Sequence, residues 1–369
     1  MPNNYVIRPY QQGDEEEIVE LLELVFDGWP RFDLNCTPLD HWKWKYLDNP
    51  FRANHINVAV SDEKIIGCCH SIPKNIKIGN KVFLGSIGGD SAVHPDFRKM
   101  GIYDKMNKLR SNLRKKGNVK FVTRISNNPI LIKYQSQRFP RFPHTINNLI
   151  RIRDIDIHLK MKQTKNQWIK KNGFLLLKLF NKITNSMTIF DTKVNLDNIH
   201  ISEIQNFDDR INPFWNDIKE KTSYIVERTK DHLNWRYCDP RGGDYLIKIA
   251  EDNNQILGYI VLRINRYDKD YPIGYIVDLL TSPEQLFVTK ALVSDALQYF
   301  EEHNVNLVNV WSIQNHYYNS IFKRYGFIKD RRRLNFFYTM LDILDGEIRQ
   351  INTDLGQGIF FSYGDFDGI

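Results

Sequence analysis

A chain of 369 residues, 42% hydrophobic and 26% charged, is long enough for two domains, and its 22 Phe, 18 Tyr and 7 Trp exclude disorder along its length. Its apolar runs, such as residues 174–180, are far too short to cross a bilayer, and its first residues lack the apolar core of a secretory signal. Four Cys without a C-x-x-C spacing exclude a disulfide framework and point to a reducing, cytoplasmic setting, while the net charge of +7 fits either acidic ligands or a Lys- and Asn-rich compositional bias.

Residues 5–8 read as a short strand. Gly13-Asp14 then opens a helix whose Glu15, Glu16 and Glu17 suit its positive end, with Ile18, Leu21, Leu22 and Val25 at helical spacing. A second helix is expected over 39–47, stopped by Asn49-Pro50. Strands follow at 56–60 and 64–72, hinged at Ser61-Asp62-Glu63, and at 82–93. After His94-Pro95 a long helix is expected from Gly101 to about Lys116, ended by Gly117-Asn118. A strand at 119–124, a short helix at 129–136 and a further strand pair to about Arg153 complete the first part.

The second half repeats this plan. Trp44 within Asp40-His-Trp-Lys-Trp-Lys-Tyr46 is matched by Trp235 within Asp231-His-Leu-Asn-Trp-Arg-Tyr237, an offset of 235 − 44 = 191, and Lys64-Ile-Ile-Gly67 by Gln255-Ile-Leu-Gly258 at the same offset. Val93-His-Pro95 is matched by Thr281-Ser-Pro283, and Asn127 with Phe139 by Asn315 with Phe327, at 281 − 93 = 188. One three-residue indel reconciles the two offsets, so the chain reads as two copies of one α/β unit. The expected division is 1–156 and 195–345 for the copies, 157–194 for a connector and 346–369 for a tail. The recurring Trp and Tyr positions read as fold packing.

The connector carries no acidic residue from Ile157 to Phe190 but seven Lys, interleaved with Trp168, Ile169, Phe174 and Leu175. A basic amphipathic helix of this kind could lie on an anionic membrane surface; the expectation is instead a linker helix docked across both copies, its lysines solvated. The tail, 360–369, reads as a strand and turn capping the second copy, with Asp365 and Asp367 as alternative holders of a cationic substrate. Ten His with no H-E-x-x-H and no ligand-spaced cluster predict no metal, and no nucleic-acid role is expected.

The chemistry is expected where the strand at 82–93 passes through a basic loop into the long helix. Gly88-Gly-Asp90-Ser-Ala-Val93 ends the strand, and His94-Pro-Asp-Phe-Arg98-Lys-Met-Gly101-Ile-Tyr103 turns into the helix. Such a loop aims backbone N–H groups and a positive helix end at one point, Gly101 admits close backbone approach, and Arg98 and Lys99 add charge for a pyrophosphate. This loop resembles motif A of the GNAT superfamily of N-acetyltransferases, R/Q-x-x-G-x-G/A, with Tyr103 in place of the last small residue. Asn127-Asn-Pro-Ile-Leu-Ile-Lys-Tyr134-Gln-Ser-Gln-Arg138-Phe139 resembles its motif B, with the Asn-to-Tyr spacing of 134 − 127 = 7 and Arg138 where Gly is usual.

The resemblance implies an α/β (α+β) chain of two tandem GNAT folds, each a mixed central sheet flanked by helices, with the basic linker helix between them. It implies acetyl-CoA as cosubstrate, lying in a V-shaped gap between the strand ending at Val93 and the strand starting near Val119, and contacting Ser91, Ala92, Val93, Arg98, Lys99, Met100, Gly101, Ile102, Tyr103 and Asn127. Tyr134 would be the general acid for the leaving thiolate, Ala92 and Val93 the backbone contact of the thioester oxygen, and Asp90 the candidate base, directly or through water, with His94 as its rival. The acceptor would be a primary amine, an amino sugar or a small-molecule amine. The alternatives are transfer of a longer acyl or aminoacyl group, and a non-catalytic CoA-binding scaffold. The second copy has Pro283-Glu-Gln-Leu286-Phe-Val-Thr289 in place of the basic loop and Phe322 in place of Tyr134, so one acetyl-CoA per chain is expected.

Overall fold

The computed structural model describes residues 4–30, 32–51, 55–126, 128–161, 199–341 and 345–366. β1 (Val6–Pro9) leads to α1 (Glu15–Phe26), which buries Ile18, Val19, Leu21 and Leu22. α2 (Pro38–Tyr46) starts at Thr37, whose hydroxyl accepts from the Asp40 N–H, with Pro38 in the first turn. β2 (Asn57–Ser61) and β3 (Lys64–Ile78) form a hairpin whose turn residues Asp62 and Glu63 both take positive φ, which matches the twist of the strands. β3 runs past the Ile72 expected from sequence, because Gly79 and Asn80 turn it directly into β4 (Lys81–Val93). α3 (Ile102–Lys116), β5 (Phe121–Ser126) and α4 (Pro129–Ser136) follow.

Next come β6 (Ile146–Ile152) and α5 (Ile155–Met161). Apart from the start that forms α5, the basic connector falls almost wholly outside the described residues. The second half continues with β7 (His200–Ile204), α6 (Ile211–Glu220), β8 (Tyr224–Val226), α7 (Lys230–Leu233), β9 (Leu246–Asp252), β10 (Gln255–Asn265) and β11 (Ile273–Thr281). α8 (Leu286–Glu302), β12 (Leu307–Ile313), α9 (Tyr318–Arg324), β13 (Ile328–Arg333), β14 (Asn335–Met340) and α10 (Asp345–Thr353) complete it.

The chain forms two compact units that are interleaved in sequence. The first comprises Met1–Pro143, Asp239–Gly243 and Asn335–Asn352; the second comprises His144–Cys238, Asp244–Leu334 and Thr353–Ile369. The sequence division had kept each copy contiguous. The strands explain the difference. β14, from the end of the second copy, pairs antiparallel with β5 from Asn335↔Ser126 to Met340↔Phe121. β6, from the end of the first copy, pairs antiparallel with β12 from Leu307↔Ile152 to Ile313↔Ile146, and with β13 on its other side.

The main path of the first sheet is β1-β2-β3-β4-β5-β14, mixed because β4 and β5 run parallel. α3 packs Ile102 and Met106 on Ala59, Ile66 and Cys69 beneath it. The second sheet runs β13-β6-β12-β11-β10-β9-β7 and is likewise mixed, with β11 and β12 parallel. Its long helix α8 buries Val288, Leu292, Val293, Ala296, Leu297 and Phe300. From Thr353 onward the C-terminal tail belongs to this unit, whereas residues 346–352 belong to the first. Ile359 bridges Tyr224 of β8, and the turn Tyr363–Asp365 is buried.

Candidate active site

In the first unit β4 and β5 pair over only three positions, Gly85↔Phe121, Ser86↔Val122 and Ile87↔Thr123. Beyond Ile87 the strands part: β4 follows β3 to Gly67↔Val93, while β5 follows β14. The result is a splay whose β4 edge, residues 88–93, has no strand partner on the β5 side among the described residues. A bulge sits in that edge. Cys68 pairs with Ala92 and His70 with Gly89, so β4 carries one extra residue there, and Asp90 takes a φ of +23°. Ser91, Ala92 and Val93 therefore stand where backbone groups can meet a ligand's amides.

The basic loop closes the wide end. A short turn at Pro95–Phe97 leads to Lys99 and Gly101, both with left-handed backbone at φ +67° and +72°. Gly101 caps α3, and a Cβ built on it would meet nothing within 4 Å. Open space thus lies before the unpaired N–H groups of the first turn, at Ile102 and Tyr103. Arg98 and Lys99 are exposed, and Arg98 Nε donates to the Val93 carbonyl at 3.3 Å. Met100 faces inward, packed on the Ile102–Met106 cluster, and its carbonyl accepts from the Tyr5 hydroxyl at 3.2 Å. His94 accepts from the Asp96 N–H at 3.3 Å and so stays within the loop.

Tyr103, the departure from motif A, packs against that same cluster and edge-on to the Tyr134 ring at 5.5 Å. The structure thus brings the two tyrosines together beside α3. Tyr134 is half-buried on α4 and donates to Asp104 Oδ1 at 2.7 Å, with Arg138 stacked 3.9 Å from its ring centre. Burial, then the hydrogen bond to Asp104, pushes its pKa up to about 12, so it keeps its proton at neutral pH. Asn127 lies outside the described residues; its neighbour Asn128 caps α4, accepting from the N–H groups of Ile130 and Leu131.

Asp90 is held by α2. Lys45 Nζ and the Tyr46 hydroxyl, both from α2, donate to its Oδ2 at 2.7 and 2.6 Å. Burial opposes its charge, but Lys45 and these hydrogen bonds prevail and hold its pKa at about 2. Such a carboxylate is a poor proton acceptor, which weighs against its expected role as base. His70 is buried beside it. One ring nitrogen lies 2.6 Å from the Asp90 carbonyl, the other accepts from Trp42 Nε1 at 3.0 Å, and burial lowers its pKa to about 4.

Sequence reading missed two features here. One is Asp104, one helical position past Tyr103. The other is a buried arginine pair on α3, Arg110 and Arg114, which continues the inward stripe of Ile102 and Met106 at four-residue spacing. That spacing was the available signal, since arginine at a core position of a helix needs a reason.

The second unit repeats the splay and fills it. β11 and β12 pair from Ile273↔Leu307 to Ile276↔Val310 and then part. The end of β11 is occupied from within: the Tyr318 hydroxyl accepts from the Thr281 N–H at 2.8 Å, and the Tyr317 hydroxyl donates to the Thr281 carbonyl at 3.2 Å. The helix begins at Leu286, the position matching Arg98, so the basic loop is replaced by a further turn of helix. Thr289 is buried inside it, 2.6 Å from the Thr281 hydroxyl, and Glu284 pairs with Lys221. Asp365 of the tail is buried in an ion pair with Arg228, and Asp367 lies outside the described residues. Among the described residues no group of His, Cys, Asp and Glu could hold a metal ion, and no helix is long and apolar enough to cross a membrane.

Comparisons agree with this architecture. Residues 6–125 match the family described as "Acetyltransferase (GNAT) domain", and residues 207–327 match "Acetyltransferase (GNAT) family". No curated protein matches the chain in sequence. Among solved structures, a Saccharomyces cerevisiae N-myristoyltransferase with bound myristoyl-CoA superposes with a TM-score of 0.64 at 13% identity, covering 98% of this chain and 87% of that one. A conserved protein from Enterococcus faecalis, titled a probable N-acyltransferase, gives 0.62 at 10% identity over 94% and 74%. A GCN5-related N-acetyltransferase from Anabaena variabilis gives 0.59 at 11% over 92% and 73%. At these identities the structures speak for the fold, and the two family matches for the kinship. The chain belongs to the GNAT acyltransferases, as two GNAT domains in tandem on one polypeptide.

Proposed function

We propose that the first unit transfers an acetyl group from acetyl-CoA to a primary amine by direct attack of the amine on the thioester. The observation that carries this reading is the β4–β5 pairing that stops after three positions beside the Asp90 bulge, with the open Gly101 loop beyond it. The pantetheine arm would pair with residues 91–93. The pyrophosphate would sit before Ile102 and Tyr103, with Arg98 and Lys99 as counter-charges.

A backbone N–H of the Ala92–Val93 segment that faces the splay would polarise the thioester carbonyl as negative charge gathers on its oxygen. As the C–S bond breaks, Tyr134 would give its hydroxyl proton to the departing sulfur, and the amine nitrogen would lose its extra proton to water. The raised Tyr134 pKa supports a donor that is still protonated at neutral pH. Asp90 is better suited to fixing the bulge through Lys45 and Tyr46 than to taking a proton. The acceptor would be an amino sugar or another small amine. Thiol release from acetyl-CoA with an amine panel tests the reading: turnover should need both substrates, and absence of turnover with acetyl-CoA bound would instead favour a CoA-binding scaffold.

A further inference from the structure

Three arginines gather at the base of the β4–β5 splay, and no acidic side chain among the described residues pairs with any of them. Arg110 and Arg114 of α3 are only 3% and 2% exposed. A methyl group built on Gly88 would lie 3.7 Å from Arg114 Nη2 and 4.0 Å from Arg110 Nη1. Both guanidinium groups therefore meet at the first β4 residue past the last β5 pair. Arg124 directly follows Thr123, the last β5 residue paired with β4, and its charge acts on Arg114.

Arg110 is partly satisfied. Its Nη1 donates to the His70 carbonyl at 2.7 Å and the Ser91 hydroxyl at 3.2 Å, and its Nη2 to Asn107. Its Nε has no partner. Arg114 leaves both Nε and Nη2 buried without an acceptor. Arg124 Nη1 donates to the Thr339 hydroxyl at 2.6 Å. Burial and the neighbouring cations lower the pKa of Arg114 and Arg124. Arg124 is half-buried and stacks 3.9 Å from the Phe139 ring centre. Arg110 and Arg114, by contrast, are buried cations without counter-charge, which weaken a fold, so their place in the cleft calls for a partner from outside the chain.

A pyrophosphate at the Gly101 loop is too far away to be that partner. Arg114 stands twelve residues along the helix from Ile102, about 18 Å at the rise of an α-helix. Asp90 is not the partner either, since Lys45 and Tyr46 of α2 hold its carboxylate.

We propose that Arg110, Arg114 and Arg124 form a carboxylate-binding pocket at the base of the splay, so that one substrate of the acyl transfer carries a free carboxylate close to the reacting carbonyl. Planar guanidinium forks fit a carboxylate in two-point contact. The link to transfer rests on the function proposed above; the pocket itself does not. Two sources share this chemistry: an amino-acid acceptor with its own carboxylate, or an acyl-CoA with a carboxylate at the end of its acyl chain.

The first measurement needs no turnover. Thermal melting of the full chain in succinate and in chloride at matched ionic strength should show a succinate-specific rise in Tm, absent in Arg114→Met. Without ligand, Arg114→Met should melt at or above the wild-type temperature, because it removes an unpaired buried charge. Equal responses to both salts, or a ligand-free Arg114→Met that melts well below wild type, would overturn the pocket. The second measurement separates the sources. Acetyl-CoA is offered with an amino acid and with its decarboxylated amine, then succinyl-CoA and acetyl-CoA are compared with an uncharged amine. The carboxylate-bearing member of one pair should have at least a tenfold higher kcat/KM, and Arg114→Met should erase that preference. Turnover without preference in either pair would refute the assignment, whereas failure of turnover alongside a succinate-specific Tm rise would count against the transferase reading and not the pocket.

Discussion

The two units share a splay, a bulge beside it and a tyrosine bonded to an aspartate, yet treat the cleft oppositely. Tyr46 donates to Asp90 at 2.6 Å in the first, and Tyr237 donates to Asp278 at 3.0 Å in the second. Asp278 lies 278 − 90 = 188 after Asp90, the offset of the strand that bears it. The cleft above this shared base differs. Ile130 on α4 is 79% exposed, whereas its counterpart Tyr318 on α9 is 3% exposed and bonded to the end of β11. Arg228 binds both Asp278 and Asp365, tying the tail to the same strand. The second cleft is thus closed by supplying its backbone with hydroxyls from the chain itself, and the fold needs no ligand to satisfy that strand.

The sharpest way to break this contrast is at the loop. Gly101→Glu should lower acetyl-CoA affinity by roughly 100-fold or more. It puts a carboxylate into the open space before α3 and strains a left-handed backbone position. Titration calorimetry on the wild type should give one site per chain. A stoichiometry near two, or unchanged affinity in the folded variant, would erase the distinction between the units.

Tyr134→Phe should cut kcat by roughly 10²–10⁴ with little change in acetyl-CoA affinity, measured where chemistry limits turnover. Phe322→Tyr should restore no second activity, because Thr281 is already bonded to Tyr317 and Tyr318. Arg228→Met should destabilise the second unit by about 3–5 kcal/mol, leaving Asp278 and Asp365 buried without their cation. A Tm unchanged within a degree would remove the ion pair from the explanation of how the cleft is filled.

Acid stability sharpens the shared base. The folded pKa of Asp90, about 2, lies below the ordinary 3.8, so its contribution is complete above pH 4 and lost as pH falls toward 2. Asp90→Asn should therefore narrow its stability deficit from wild type between pH 4 and 2. A deficit constant over that range would mean that the carboxylate charge is not what matters. The smallest effect is electronic. Asp104→Asn should lower the Tyr134 pKa from about 12 by removing a negative acceptor, visible in a spectroscopic phenol titration, and no change would free Tyr134 from Asp104.

Much of this was legible in the residues. The loop from Arg98 to Gly101, the helix end at Gly117, and the 191 and 188 offsets each have a local physical cause, and the elements follow from them. Exchange of β6 and β14 was not legible, because alternation along a strand says which face is buried and not which neighbour supplies the hydrogen bonds. Nor was the engagement of Asp90. A late-strand aspartate looks like a free base until α2, forty-five residues earlier, delivers Lys45 and Tyr46 to it. The filling of the second cleft escaped for a similar reason. Nothing in the sequence around Tyr317 and Tyr318 says that their hydroxyls reach the backbone of Thr281.

The exchanged strands also set a timetable for synthesis. β5 leaves the ribosome with Ser126, but its outer neighbour β14 is complete only at Met340, 214 residues later. At common elongation rates that interval is roughly 10–40 s. Throughout it the nascent first sheet offers an edge bearing Phe121, Val122 and Ile125, all buried in the finished protein. A ribosome stalled before Asn335 would release a chain with that edge still open, ready to pair with another copy, so a strand made late is the one that protects the first sheet from aggregation.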